Sequence, residues 1–258
     1  MTTVKDILQY VETLAPKSLK MDWDNVGLLC GSSAAAVTRV LVALDPFEHV
    51  CKEAADWGAE LIVTHHPIIF RPLTGITDET SVGRGIMTLC RHGISAINAH
   101  TNLDCTVGGV NDVLAEKLGL ENICPIPYGD GSFALLRCGS VKEQSMAAFL
   151  AHVTGALGCG GLRYVDSGKP VGKVAVGGGS CADDMPDVLA AGCDTFVTAD
   201  VKYNQFWDAH DLGLNLIDAG HFCTENPAIA VLAGKIAAKF PEIQVKISET
   251  HADCMKFY

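Results

Sequence analysis

The sequence predicts an α/β protein made of two similar lobes, each with a mostly parallel or mixed sheet covered by helices. Apolar runs typical of buried strands alternate with helical stretches, which favours parallel strand pairing. The same order of elements occurs twice along the chain. With 258 residues, 48% of them hydrophobic, the chain is large enough to bury a substantial core.

The lobe boundary is predicted from turn-forming residues near the middle of the chain. The segment ENICPIPYGDGSF, at 121–133, holds clustered glycines and prolines. We therefore place the first lobe at 1–125 and the second at 126–258, with a C-terminal segment that can pack back on the first lobe.

The first half contains three predicted strands in order. The run VLVALD, from residue 40, is followed by the helical stretch PFEHVCKEAADWG and the second strand AELIVTHHP. A helix in GRGIMTLCRHG then leads to the third strand, ISAINAH, and TNLDCTVGGVNDVLAEKLG enters another helix. Strands that alternate with helices in this way predict a parallel sheet.

The second half has the same order of elements. Strands are predicted in GKVAVGGG, DTFVTAD and LNLIDAG, with helices in MPDVLAAGC and NQFWDAHDLG and a last helix after HFCTENP. IVTHH parallels FVTAD, SAINAH parallels NLIDAG, and we expect Asn111 and Asn226 to cap the helices that follow. Chance similarity between generic α/β segments is the alternative. A true repeat would locate the chemistry, because ligands bind at the carboxyl ends of the strands in such sheets.

Charge and hydropathy favour some partners over others. The net charge of −11 and pI near 5.2 disfavour a nucleic acid partner. No run approaches the roughly 18 apolar residues of a membrane helix, and the polar start MTTVKDILQY is unlike a secretory leader. We expect a cytoplasmic protein without a membrane partner. The eleven cysteines include no C-x-x-C pair and are predicted to be reduced, mostly buried thiols.

Three segments carry residues that can ligate a metal. VTHHP places His65 and His66 at a strand end, where the following proline bends the chain so that both rings can face one cavity. Asp104 follows another strand, although taken alone it suits a cap or turn. HFCTE puts His221 and Glu225 four residues apart, on one face of a helical turn. An ion pair or a helix cap is the alternative for that last pair.

Together these side chains offer three nitrogen and two oxygen donors. The mixture favours zinc, iron, manganese, cobalt or nickel over calcium or magnesium alone. Five donors exceed the needs of one open catalytic site. Two divalent ions per chain, about 3.5 to 4 Å apart, would use all of them and leave positions for a substrate.

Two further motifs leave alternatives open. GGGSCA, at 177–182, fits a dinucleotide-binding fingerprint, but Asp183, Asp184 and Asp187 crowd the next helix start, where a phosphate needs positive charge. MDWDNVGLLCG holds Trp23 beside Asp22, Asp24 and Asn25. This cluster lines a cavity or caps a helix, and Trp23 as an ordinary core residue is the favoured interpretation.

These segments, taken in order, resemble the Nif-three-like dinuclear metal centre family, which includes YbgI-like proteins and type 2 homologues of GTP cyclohydrolase 1. The resemblance covers essentially the whole chain, through WDNVGLLCG, VTHHPIIF, NAHTNLDCTVGGVND, KVAVGGGS, TADVKYNQFWDAHDLGLNLIDAGHFCTENP and ISETHADCMKFY. It implies a two-metal site in a cleft between two related lobes, and a ring-shaped homohexamer. The residues that match the family's ligand positions are His65, His66, Asp104, His221 and Glu225.

The resemblance also implies roles around the ligands. His100 and Thr64 are expected to orient ligands through hydrogen bonds. The chain is too short for the domain that many members carry between the lobes. Its end, ETHADC, departs from the acidic, Asp-Pro-containing close of the family, so we carry no site residue from there.

Two functions fit these expectations. One is a metal-dependent hydrolase acting on a nucleotide-like or phosphorylated small molecule, with GTP cyclohydrolase activity as the named candidate and His100 or Glu225 as a spare acid or base. The other is a metal-handling or scaffold protein without catalytic activity. Fast transfer of metal to an acceptor would favour the second function, and metal-dependent turnover would favour the first.

Overall fold

The computed structural model describes residues 1–128 and 133–258. Residues 129–132 of the predicted boundary segment therefore lie outside the described residues. The chain divides into two compact units: Met1–Thr106 with Ile229–Ala252, and Val107–Ala228 with Asp253–Tyr258. These units differ from the predicted lobes in grouping 107–125 with the second unit and 229–252 with the first.

The described part of the first unit contains a five-stranded mixed sheet. Its strands are β1 (Gly27–Cys30), β2 (Arg39–Ala43), β3 (Leu61–Thr64), β4 (Ser95–Asn98) and β11 (Gln244–Ile247). The spatial order is β1-β4-β3-β2-β11, with β1 antiparallel to β4 and the other neighbours parallel. Pairing of β11 with β2 explains why the late segment 229–252 belongs to this unit.

Helices of the first unit follow the predicted alternation. They are α1 (Val4–Leu14), α2 (Glu48–Trp57), α3 (Ser81–His92) and α4 (Thr101–Cys105), with a 3₁₀ turn at Lys17–Leu19 and most of α10 (Pro227–Lys239). Thr3 and Asp6 form a capping box that starts α1. A buried cluster joins α2, α3 and the sheet through side chains such as Val50, Leu89 and Ile62. Each such side chain contributes roughly 1.5–3 kcal/mol by leaving water.

The second unit holds a mixed sheet of six strands among its described residues. They are β5 (Glu121–Tyr128), β6 (Phe133–Gln144), β7 (Arg163–Val165), β8 (Val171–Val176), β9 (Thr195–Thr198) and β10 (Asn215–Asp218). The order is β5-β6-β8-β9-β10-β7, in which β8, β9 and β10 run parallel. The remaining neighbours are antiparallel.

Two apolar clusters cover this second sheet. The helices are α5 (Val110–Lys117), α6 (Met146–Leu157), α7 (Met185–Ala190), α8 (Tyr203–Leu212) and α9 (His221–Glu225), with a 3₁₀ turn at Ala182–Asp184. One cluster includes Leu114 of α5 and Phe149 of α6, and the other includes Val188 of α7 and Ala209 of α8. The predicted α/β class, with helices covering mixed sheets, is confirmed.

The internal repeat is visible in the strand orders. β1-β4-β3-β2 in the first unit corresponds to β7-β10-β9-β8 in the second, each with three parallel strands and one antiparallel edge strand. Thr64 pairs with Asn98 at the end of β3 and β4, as Thr198 pairs with Asp218 at the end of β9 and β10. The two halves are therefore one supersecondary unit used twice.

The expected asparagine caps are wrong in detail. Gly109 is the N-cap of α5, and Asn111 lies inside that helix, where it bonds to Leu135 O and Gly178 N. Asn226 has helical torsions between α9 and α10, with φ −57° and ψ −29°. An N-cap needs an extended residue, so neither asparagine has that role.

The predictions about membrane helices and buried cysteines can be compared with the structure. No helix in the described part of the chain is long and apolar enough to cross a membrane. Six of the eleven cysteines are buried, as expected for thiols that pack like small apolar side chains.

Candidate metal centre

Three imidazoles meet at the carboxyl ends of β3 and β4 in the first unit. His65 and His66 follow β3, and His100 comes two residues after β4. Because these strands are parallel neighbours, their ends lie at the same edge of the sheet. The ring centroids are 4.9 Å (His65–His66), 5.2 Å (His65–His100) and 5.4 Å (His66–His100) apart. One ring nitrogen from each histidine lies within 4.8 Å of the others, so the three could hold one ion.

Each of these rings is oriented through its Nδ1 atom. His65 Nδ1 lies 2.9 Å from Ala99 O, His66 Nδ1 lies 2.7 Å from Asp45 Oδ1, and His100 Nδ1 lies 2.8 Å from Asp24 Oδ1. An acceptor at Nδ1 favours the tautomer that keeps its proton there and presents the Nε2 lone pair. This is the arrangement of histidines that bind metal through Nε2.

Asp104 reaches the same histidines from helix α4. Its Oδ1 lies 3.5 Å from Nε2 of His65, and both residues are buried. The backbone of Asp104 donates to His100 O at 3.1 Å, so the short helix fixes the carboxylate relative to the strand end. Asp104 is thus inside a helix beside His65, rather than at a cap or turn. A carboxylate buried at such a place is costly unless a positive charge or donors compensate it.

The environment of Trp23 differs from the prediction that this side chain is an ordinary core residue. The Trp23 side chain is 62% exposed, so it is not a core residue, and its ring packs edge-on against Phe70 and His100. Asp24 beside it is buried and accepts hydrogen bonds from His100 Nδ1, Thr101 N and Thr101 Oγ1. Burial raises the pKa of Asp24, but the hydrogen bonds from His100 and Thr101 outweigh it and lower the pKa to about 2. Asp24 therefore stays ionised near neutral pH.

The second unit brings His221 and Glu225 together on α9. His221 Nε2 lies 3.1 Å from Glu225 Oε2, which confirms that the four-residue spacing puts both side chains on one helical face. His221 Nδ1 lies 2.8 Å from Asp200 Oδ2. Asp200 follows β9 with a left-handed backbone, φ +53°, which aspartate tolerates better than most residues. Here too a carboxylate orients the imidazole through Nδ1.

The glycine loop after β8 supports this pair instead of a phosphate. Its amides already donate to side chains: Gly178 N to Asn111 Oδ1 at 2.7 Å and Gly179 N to Thr224 Oγ1 at 3.0 Å. A phosphate cradle needs such amides directed at the ligand. A methyl group on Gly179 would overlap Glu225 Oε1 and lie 3.0 Å from His221 Nε2. Glycine therefore makes room for His221 and Glu225.

Sequence reasoning missed three of these carboxylates as orienting groups. Asp24 was weighed only as a cavity or cap residue, and Asp45 and Asp200 were not singled out. For Asp45 and Asp200, the position at the end of a predicted strand was the available signal, whereas Asp24 precedes β1 and gave no such signal. Thr64, expected to orient ligands, donates through Oγ1 to the backbone oxygen of His66 at 2.7 Å. It stabilises the chain path at the histidine pair.

The donor atoms of these residues suit divalent first-row metals. The first unit brings together the predicted residues His65, His66, His100 and Asp104, and the second brings together His221 and Glu225. Imidazole nitrogens mixed with carboxylates suit zinc, iron, manganese, cobalt or nickel. Their roles as ligands, and the number and identity of ions, stay predictions.

Comparisons with known proteins identify the family of this chain. Residues 2–254 match the model of the Duf34/NIF3 (NGG1p interacting factor 3) family. A GTP cyclohydrolase 1 type 2 homolog from Clostridium perfringens is 34% identical over 98% of this chain and 99% of that protein. A Staphylococcus aureus hypothetical protein of known structure has a TM-score of 0.91 at 28% identity, covering 99% of each chain. A Bacillus cereus protein related to NIF3 has a TM-score of 0.92 at 25% identity, over 100% of this chain and 99% of that chain. The chain belongs to the Duf34/NIF3 family.

Proposed function

We propose that this protein binds two divalent metal ions through the predicted ligand residues of both units and uses them as a hydrolase on a nucleotide-like or phosphorylated small molecule. The observation that carries the proposal is the shared orientation of the imidazoles. His66 and His100 in the first unit, and His221 in the second, each direct Nδ1 at a carboxylate. Metal-binding histidines commonly have such partners.

The buried carboxylates support the same proposal. Asp104 and Glu225 are 7% and 4% exposed, and each lies beside an imidazole nitrogen. Their charge would offset the charge of a cation, and a cation would offset the cost of burying them. A bound divalent ion supplies Lewis acidity, which activates water at neutral pH and polarises a carbon or phosphorus centre.

The names of relatives suggest the substrate class. The Clostridium perfringens relative is called a GTP cyclohydrolase 1 type 2 homolog, and a Helicobacter pylori relative, 32% identical over 93% of this chain, is called GTP cyclohydrolase 1 type 2. A purine nucleotide is therefore the first substrate to test. The anionic chain, with net charge −11, would need the metal charge to attract a triphosphate. A ring-shaped homohexamer completes the proposal, and sedimentation of the native protein tests it.

The test is a turnover screen with reconstituted protein. Protein loaded separately with manganese, iron or zinc is incubated with GTP, other nucleotides and phosphate esters, and products are separated by chromatography. The proposal expects metal-dependent turnover that disappears in Asp104→Ala. Asp211→Ala is the matched control, because the Asp211 carboxylate lies beside an exposed imidazole of α8 and is 78% exposed. No turnover with any metal, or equal turnover in Asp104→Ala, would contradict the hydrolase.

A metal-handling protein is the second candidate, and the exposure of His221 and of the carboxylate that orients it favours this function. The His221 side chain is 33% exposed, and its partner Asp200 is 52% exposed. An exposed ligand lets an acceptor protein approach the ion. Rapid loss of bound metal to an apo-acceptor, without turnover of any substrate, would favour this function over the hydrolase.

A further inference from the structure

A second buried histidine shares the carboxylate that orients His66. Asp45 Oδ1 lies 2.7 Å from His66 Nδ1, and Asp45 Oδ2 lies 2.9 Å from His251 Nε2. The His251 side chain is 5% exposed. One carboxylate therefore joins two imidazoles, of which one belongs to the candidate metal cluster and the other to the C-terminal segment.

The chain path delivers His251 to Asp45. Strand β11 runs parallel to β2, and Ser248 N donates to Val42 O at 2.8 Å just after the strand. Glu53 of α2 then accepts hydrogen bonds from Ser248 Oγ, Glu249 N, Thr250 N and Thr250 Oγ1, at 2.5 to 3.2 Å. His251 N donates to Ser248 Oγ at 3.2 Å. Each residue from 248 to 251 therefore makes at least one hydrogen bond that holds the segment in place.

Two donors restrict a carboxylate more than one does. A carboxylate held at a single oxygen can turn about its terminal torsion, which is broad. With His251 on Oδ2, the Oδ1 lone pairs of Asp45 are directed at His66 Nδ1, which keeps the Nδ1 proton and turns Nε2 toward the cluster. The ring of His251 is itself packed edge-on against Phe47, with 5.7 Å between the ring centroids.

We propose that His251 is a positioning residue, which fixes the orientation and tautomer of His66 through the carboxylate of Asp45. The consequence for metal binding rests on the proposed function. The effect on His66 itself does not, because it depends only on hydrogen bonds among His66, Asp45 and His251.

The test uses the full-length protein in two measurements. The tautomer of His66 is determined without metal by imidazole ¹⁵N correlation spectroscopy, and Co²⁺ affinity is determined by absorbance titration. His251→Leu removes the donor, and His251→Gln replaces it with an amide donor. His49→Leu is the matched control, because His49 is exposed and packs against His251, and among the described residues it has no hydrogen bond to Asp45.

We expect His251→Leu to mix the His66 tautomers and weaken Co²⁺ binding by about 10-fold or more, the range of lost ligand-orienting partners. His251→Gln should restore most of both properties, and His49→Leu should leave both unchanged. An unchanged tautomer and affinity in His251→Leu would overturn the positioning role. If the wild-type protein binds no Co²⁺ while the tautomer still depends on His251, the positioning stands and the proposed metal function fails.

Discussion

Strand β3 of the first unit and strand β9 of the second unit both end in a threonine with the same backbone hydrogen bond, but the residues that follow them differ. Ala99 N donates to Thr64 O at 3.1 Å in the first unit, and Ala219 N donates to Thr198 O at 2.9 Å in the second. After the threonine, the first unit has His65 and His66, whereas the second has Ala199 and Asp200. The second unit places its imidazole on the following helix instead.

The difference shows how one repeated strand order can position candidate ligand residues in two ways. In the first unit, the strand end supplies the imidazoles and a carboxylate after β2, Asp45, orients one of them. In the second, the strand end supplies the orienting carboxylate, Asp200, and α9 supplies His221. Asp45 is 16% exposed and Asp200 is 52% exposed, so water screens the second arrangement more.

The largest expected effect comes from Gly179→Ala, which removes the room that Glu225 and His221 occupy. Gly179 has φ +66°, and a methyl group there overlaps Glu225 Oε1. Gly168→Ala is the matched control, because Gly168 has φ +78° with nothing within 4 Å of the added carbon. Both variants should lose roughly 1–2 kcal/mol of stability, because alanine adopts a positive φ only at a steric cost. Only Gly179→Ala should lose metal affinity, measured by Co²⁺ titration, and equal affinities would contradict the packing role of the loop.

The next largest effect on metal binding is expected when either orienting carboxylate, Asp45 or Asp200, is replaced. Asp45→Asn should weaken metal binding within the 10- to 100-fold range expected for lost ligand-orienting partners, near its upper end. Asp200→Asn should lie near its lower end, because Asp200 is more exposed. Calorimetric titration of both variants with Zn²⁺ measures the difference. A larger loss in Asp200→Asn would reverse the order that we infer from exposure.

The stability of the first unit should depend on pH through the buried carboxylate of Asp24. The pKa of Asp24 is lowered from 3.8 to about 2, so the folded state favours its charged form. This stabilisation is complete above about pH 4 and is lost as the pH falls toward 2. Thermal unfolding from pH 5 to 2 should therefore show a shallower loss of stability in Asp24→Asn than in the wild type. Parallel curves would contradict the role of the buried carboxylate.

The smallest effect is expected at Trp23. Its ring is 62% exposed, so Trp23→Leu should change the free energy of unfolding by no more than about 0.5 kcal/mol, as is usual at surface positions. Urea denaturation measures this. A loss of several kcal/mol would restore the interpretation of Trp23 as a core residue.

Local spacing explains which parts of the site could be predicted from the sequence. The pairing of His221 with Glu225 follows from helix geometry over four residues, and the histidine pair follows from one strand end. The alternation of strands and helices likewise predicts the α/β class. These features depend on neighbours in the chain.

Contacts between distant segments explain what could not be predicted. Asp24 meets His100 across 76 residues, and Asp45 meets His251 across 206. Those partners are set by strand order and register, above all by the pairing of β11 with β2. His251 was excluded because its segment departs from the family pattern, and a pattern carries no information on a pairing over that distance. Asn111 was misassigned because Gly109 begins α5 two residues earlier.

The central claim is that the ligand residues of both units hold divalent metal, and metal content tests it most directly. Protein purified without oxygen or chelator is analysed by mass spectrometry beside His65→Ala/His66→Ala and His221→Ala/Glu225→Ala, with the exposed pair His210→Ala/Asp211→Ala as control. The account predicts about two ions per chain in the wild type and the control. It predicts a loss in each double variant of the ligand sets. Equal metal content in all four proteins, or none after reconstitution, would contradict it.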